Sequence, residues 1–226
     1  MSEIGQNLAK VRLRINDAAH HVKRSPESIK LVAVSKKQPI TAISQAYAAG
    51  QRSFGENYAQ ELGSKAKELS ALNIEWHMIG NLQRNKAKLV TPAASWIETV
   101  DSIQLAKTLN SRSLIPLNIL LQINIANEQS KSGINENQAL EMAQAISQFP
   151  HLKLQGLMCI PPYNADPEKS RPHFRKLKTL QTELNNKLSN PITELSMGMS
   201  HDFEIAIEEG ATIVRVGSAI FGQRSQ

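Results

Sequence analysis

The chain reads as an α/β protein in which one closed (β/α)₈ TIM barrel spans residues 1–226. Short apolar runs of strand length alternate with helix-length amphipathic stretches, and the alternation recurs eight times. The runs are dominated by Val, Ile and Leu, the composition of parallel strands buried on both faces, and eight such units point to closure. An open doubly wound sheet is the competing architecture. Against it, no G-x-G-x-x-G follows the first strand, where Ser35-Lys36-Lys37-Gln38-Pro39 stands instead.

An amphipathic helix comes first, with Ile4, Leu8, Val11 and Ile15 at three- and four-residue spacing, and Ser25-Pro26-Glu27 punctuates its junction with the barrel. Strand one is the apolar run Leu31-Val32-Ala33-Val34-Ser35, followed by a helix over 41–49. Strand two over 51–54 leads to a helix over 57–69, and strand three over 74–79 to one over 82–90. Strands four and five, over 95–100 and 117–125, precede helices over 103–109 and 136–149. Strand six over 152–158 is followed by the long helix 168–188, strand seven over 193–196 by a helix over 202–208, and strand eight over 212–216 closes the series.

No Pro/Gly/Ser-rich linker or change of composition divides the chain, so one domain is expected. A single cysteine, Cys159, excludes an internal disulfide framework and reads as a small buried residue. The start lacks a basic segment followed by an apolar secretory run, and no apolar stretch approaches a membrane span, so a soluble cytoplasmic protein is expected. The net charge of +6 raises nucleic acid as a partner. The basic residues are nevertheless scattered among Glu and Asp along helices, and few aromatics are available for base stacking, so no nucleic-acid partner is expected.

Lys36 is the most informative residue, because strand one delivers its amine to the strand's carboxyl end. Burying an ammonium is unfavourable, so such a lysine either snorkels to solvent or is held neutral for nucleophilic work. A barrel places ligand groups at the carboxyl ends of its strands, with phosphate held by the loops after strands seven and eight. Those loops are Ser196-Met197-Gly198-Met199-Ser200 and Arg215-Val216-Gly217-Ser218-Ala219-Ile220-Phe221-Gly222. Ser200 precedes a helix, so its hydroxyl either caps that helix or faces an anion. Gly217 and Ser218 offer backbone amides and a second hydroxyl where a small residue permits close approach, with a plain turn as the alternative. Arg215 lies in the apolar run Ile213-Val214-Arg215-Val216 and needs a partner, structural or ligand. Alternation sets it opposite Val214 and Val216 without saying which set faces inward.

Ala33-Val34-Ser35-Lys36, Phe54-Gly55-Glu56-Asn57-Tyr58, Trp76-His77-Met78-Ile79-Gly80 with Leu82-Gln83 and Asn85-Lys86, Ser130-Lys131-Ser132-Gly133, Gly156-Leu157-Met158 and the loops after strands seven and eight together resemble the pyridoxal 5′-phosphate homeostasis protein family. That family is similar in fold to the N-terminal barrel of alanine racemase, and the resemblance covers essentially the whole chain. It implies that pyridoxal 5′-phosphate (PLP) is the cofactor, held by Lys36 as a Schiff base. It further implies that Ser200, Gly217 and Ser218 bind the phosphate, that Arg215 lies beside the pyridine nitrogen, and that Asn57 lines the pocket. Ser218 departs from the threonine of many relatives but keeps the hydroxyl. His77 is read as a satisfied core histidine or as a direct cofactor contact. No metal site is expected.

Schiff-base formation requires a neutral amine, and an apolar mouth containing a fixed guanidinium would lower the lysine pKa from its reference of about 10.4. An arginine beside the pyridine nitrogen weakens the ring as an electron sink, which disfavours aminotransferase chemistry. Amino-acid racemisation is the enzymatic alternative, and it needs acid/base groups on both faces of the α-carbon. In alanine racemase a tyrosine from a further domain serves the second face. None of Tyr47, Tyr58 and Tyr163 has a sequence position resembling it. The resemblance therefore implies a cytoplasmic, monomeric carrier that maintains the supply of PLP (vitamin B6), without catalytic turnover, and that has PLP-dependent apoenzymes as possible recipients.

Overall fold

A computed structural model describes residues 2–128 and 132–222. Its strands are β1 (Lys30–Val34), β2 (Ser53–Glu56), β3 (Glu75–Met78), β4 (Ala94–Val100), β5 (Leu117–Ile123), β6 (Leu152–Cys159), β7 (Glu194–Met199) and β8 (Ile213–Val216). They pair in sequence order as a closed parallel barrel, β8 returning to β1 with Lys30 opposite Ile213 and Ala33 opposite Val216. The expected (β/α)₈ architecture is the one observed.

Helices α1 (Glu3–His21), α2 (Ile40–Ala48), α3 (Ala59–Glu68), α4 (Ala87–Val90), α5 (Ile103–Arg112), α6 (Ala139–Ile146), α7 (Arg171–Asn185), α8 (Phe203–Glu208) and α9 (Ser218–Phe221) surround it. The leading helix α1 is capped by Ser2, whose Oγ accepts the Gly5 amide at 3.2 Å. It buries Leu8, Val11 and Ile15 and packs on α8, α9 and α2, covering the seam where β8 meets β1.

Two apolar layers settle which way each strand residue faces. Val32, Trp96, Leu120, Met158 and Ile213 form one cluster, while their sequence neighbours Ala33, Ile97, Leu121, Leu157 and Val214 belong to the larger core beneath the helices. Because strand side chains alternate, the smaller cluster is the barrel interior.

Several boundaries differ from the sequence reading. The strand expected to stop at Ser196 continues to Met199, because Gly198 adopts φ +89° and lets α8 approach. A Cβ at Gly198 would lie 2.5 Å from Ala206 Cβ and 2.9 Å from Phe203 Cα. The stretch 82–90 is not one helix but a 3₁₀ turn over Arg84–Lys86 followed by the single turn α4. Its beginning is tied over the barrel mouth instead, where Asn81 Nδ2 donates to Ser132 Oγ at 2.8 Å. Ser130 and Lys131 of the motif quoted above lie outside the described residues. No helix among the described residues is long and apolar enough to cross a membrane.

Candidate functional site

Strand β1 ends one residue before Ser35, and the backbone turns at once. The Gln38 amide donates to the Ser35 carbonyl at 3.0 Å, and Lys37 adopts φ +60° with its amide on Glu61 Oε1 at 2.6 Å. The turn separates two adjacent lysines: Lys37 is exposed, whereas Lys36 is half-buried. Lys36 lines a small cleft of about 30 Å³ with Val34, Gln38, Gly217, Ser218 and Gly222.

A buried cluster behind β1 and β2 fixes that turn. Lys65 of α3 donates to the Ser35 carbonyl at 2.7 Å, to Glu56 Oε1 at 2.8 Å and to Glu61 Oε1 at 2.7 Å, while Ser35 Oγ donates to Glu56 at 2.6 Å. Burial pushes the Glu56 carboxyl above its ordinary range despite the bonds from Lys65 and Ser35. Sequence reasoning missed this cluster, because a lysine on an amphipathic helix reads as solvated. The signal was there in Glu56, a carboxylate at the end of an apolar strand.

The loops after β7 and β8 meet at the same mouth. Gly217 N donates to Ser200 Oγ at 3.1 Å, which leaves the Ser200 proton for another acceptor. Ser200 is therefore not a helix cap; α8 begins at Phe203 after Asp202, whose carboxylate takes the Met199 amide and the Ser170 hydroxyl, each at 2.8 Å. A Cβ on Gly217 would stand 3.3 Å from Val34 Cβ, so a side chain there would press on the strand that carries Lys36. Ser218 is exposed beside it.

Arg215 faces the barrel interior and is 3% exposed. Its Nη1 donates to Ser196 Oγ at 2.5 Å and its Nη2 to the Cys159 carbonyl at 2.9 Å, with Glu98 at 4.0 Å. Val214 and Val216 face the helices. Cys159 is buried, and its thiol is pushed up to about 12 by burial, in spite of the Arg215 charge. It is no nucleophile at neutral pH.

Asn57 follows β2 and borders a cavity of about 310 Å³ together with Gly80, Asn81, Gln122, Asn124 and Ser132. Its Oδ1 and the Gln122 Oε1 are buried without a protein partner, so a donor-bearing ligand would satisfy them. Larger grooves of about 540 and 520 Å³ open at the other end of the barrel, beside the starts of β1, β2 and β6. They contain none of the predicted site residues.

His77 lies deeper, fully buried and stacked on Trp96 with ring centroids 5.5 Å apart. Its Nδ1 is 2.6 Å from Glu98 Oε1 and its Nε2 is 3.2 Å from Glu75 Oε2. It lines neither mouth cavity. Glu98, flanked by Ile97 and Thr99 in an apolar strand, was legible as a buried carboxylate but was not singled out. No group of three or more His, Cys, Asp or Glu suited to a metal occurs among the described residues.

The residues present suit a small phosphorylated aldehyde. A half-buried amine, a glycine that admits close approach, two hydroxyls and an orphaned amide oxygen all lie at the carboxyl ends of the strands.

Comparison with known proteins gives the same architecture. Residues 6–225 match the family model of the alanine racemase N-terminal domain. The chain is 44% identical over 227 residues to a pyridoxal phosphate homeostasis protein of Pseudomonas aeruginosa, covering 99% of this chain and 97% of that one. It is 45% identical over 230 residues to the protein of that name from Escherichia coli, covering 99% and 98%. The structure of PipY from Synechococcus elongatus with PLP bound superposes with a TM-score of 0.85 at 36% identity, over 97% of this chain and all of that one (100%). An alanine racemase of Clostridium difficile, 12% identical, shares the fold with a TM-score of 0.76 over 100% of this chain and 58% of the racemase. The chain thus belongs to the alanine racemase N-terminal domain family, among its pyridoxal phosphate homeostasis proteins.

Proposed function

We propose that this protein binds pyridoxal 5′-phosphate reversibly, with covalent attachment at Lys36, and holds it as a carrier that serves intracellular supply of the cofactor. The observation that carries the reading is the shared cleft, in which the half-buried Lys36 lies against Gly217 and Ser218. When bound, the cofactor supplies an aldehyde able to condense with a primary amine and a phosphate dianion to anchor it. Ser200, Gly217 and Ser218 would hold the phosphate with hydroxyl and amide donors, and Asn57 would border the ring. Arg215 would meet the pyridine nitrogen as a donor that stays ionised.

The tyrosines give little support to racemisation. Tyr47 stacks beneath Arg52 at 4.0 Å and its hydroxyl faces the Asn73 amide, at the far end of the barrel from Lys36. Tyr58 and Tyr163 are 51% and 79% exposed. We further infer that residues 1–226 act as one domain, that the protein works as a monomer in the cytoplasm, and that PLP-dependent apoenzymes are its recipients.

Borohydride reduction of the PLP-loaded protein, followed by peptide mass mapping, tests the attachment. The expected adduct is on Lys36 and disappears in a folded Lys36→Ala variant. An adduct on another lysine overturns the assignment, and enzyme-proportional conversion of an L-amino acid to its enantiomer overturns the carrier reading.

A further inference from the structure

A continuous chain of charged and polar side chains runs up the inside of the barrel. At the lower end Lys30 of β1 donates to both oxygens of Glu75, at 3.0 and 2.9 Å, and lies over the Trp96 ring. Ser53 Oγ at 2.7 Å and Trp96 Nε1 at 2.9 Å also donate to Glu75. His77 then bridges Glu75 and Glu98. Ser196 Oγ donates to Glu98 Oε2 at 2.5 Å and accepts from Arg215 Nη1 at 2.5 Å. Signs alternate along the path: Lys30 positive, Glu75 negative, His77 between two carboxylates, Glu98 negative, Arg215 positive.

The geometry around His77 favours its cationic form. Both ring nitrogens face carboxylate oxygens, and a neutral imidazole would set one lone pair against another acceptor. With both carboxylates ionised, as Lys30 favours for Glu75 and Arg215 for Glu98, only the imidazolium donates to both. A positive His77 in turn favours a fully ionised Glu98, which is what Arg215 requires as a counter-charge in a dry interior. Burial opposes charge on His77, but the bonds to Glu75 and Glu98 outweigh it and raise its pKa overall.

We propose that His77, Glu98 and Ser196 are positioning residues for Arg215, forming a relay that holds the guanidinium in one place at the floor of the cofactor site. The relay rests on the reading that Arg215 faces the bound PLP, and it assigns a role to His77 that involves no cofactor contact. A guanidinium held through Ser196, Glu98 and the Cys159 carbonyl has little freedom left, so its remaining donors are presented in a fixed direction. Loosening it would alter both the affinity for the cofactor and the electronic environment of its ring.

The cofactor-free protein gives the first test. Nitrogen NMR of the histidine side chains, assigned with His77→Gln, is expected to show both His77 nitrogens protonated at neutral pH. One unprotonated nitrogen overturns the relay. The second test titrates PLP into Ser196→Ala and Glu98→Gln, with Ser196→Thr as the conservative control in case the charge variant fails to fold. Affinity is expected to fall about tenfold in Ser196→Ala, to recover in Ser196→Thr, and the absorption of the bound cofactor is expected to shift. Arg215→Gln separates the two levels of the argument. If it weakens binding while Ser196→Ala and Glu98→Gln leave affinity and spectrum as in the parent, the relay alone is wrong. If Arg215→Gln is also without effect, the placement of Arg215 at the cofactor falls, and the relay falls with it.

Discussion

Ser200 and Gly217 belong to different strand ends, yet the Gly217 amide is bonded to the Ser200 hydroxyl, so each holds the other in place in the proposed anion cradle. Replacing Ser200 by Ala removes the hydroxyl and leaves that amide without its partner. The loss of one such hydrogen bond is worth roughly 1–2 kcal/mol, so PLP should bind about tenfold more weakly. Unphosphorylated pyridoxal should be almost unaffected, and equal weakening of both in parallel titrations would show that Ser200 does not serve the phosphate. The meeting of these two loops was legible because the barrel rule names them in advance, and the position of Lys36 at the mouth because one apolar strand ends at it. Glu98 and Lys65 were not singled out, although they matter as much to the geometry. Glu98 meets Ser196 across 98 residues of sequence and His77 across 21, and such pairings exist only after the barrel closes.

The end of β7 shows how a strand boundary depends on its neighbour. The sequence reading ended strand seven at Ser196 and placed Gly198 in the loop that follows. The strand passes through it because the missing Cβ makes room for α8, whose Phe203 and Ala206 pack directly on that backbone. Gly198→Ala would therefore meet both a strained φ and a close approach that only a shift of α8 relieves. The expected loss is roughly 1–3 kcal/mol, read as a lower urea midpoint with an unchanged slope. Because Ser200 lies on the displaced segment, PLP affinity should fall as well; a variant with the parent midpoint would show that α8 adapts freely. The segment 82–90 failed for the opposite reason. Leu82, Ala87 and Val90 are all buried, so their spacing imitates a helix face, while a contact from Asn81 to Ser132 pulls the beginning of the segment across the mouth.

At the scale of the whole molecule, the count of strands and their apolar character carried the architecture, because eight parallel strands covered by helices leave few other ways to remove sheet edges. What patterning could not convey is that the barrel interior is only partly apolar: one small cluster shares the space with a line of charges. That line makes stability depend on pH in a definite sense. Burial raises the Glu98 carboxyl, but the bond and charge of His77, with Arg215 and Ser196, lower it overall from 4.5; Glu75 is likewise depressed on balance. Their contributions are therefore complete above about 4.5 and fade as pH falls through the depressed values. His77 is raised from 6.5, so its contribution is complete below about 6.5 and fades as pH rises through the elevated value. Between those limits every charge in the line is in place. His77→Gln leaves the buried Glu98 and the half-buried Glu75 without their shared cation, which should lower the melting temperature by roughly 10 °C within that window. The difference from the parent should narrow on the alkaline side as the parent's own His77 loses its proton, and on the acid side as Glu98 and Glu75 gain theirs. Melting curves of both proteins across that range, without PLP, measure it directly; a difference that stays constant with pH would mean that His77 stabilises the barrel by packing on Trp96 and not by its charge.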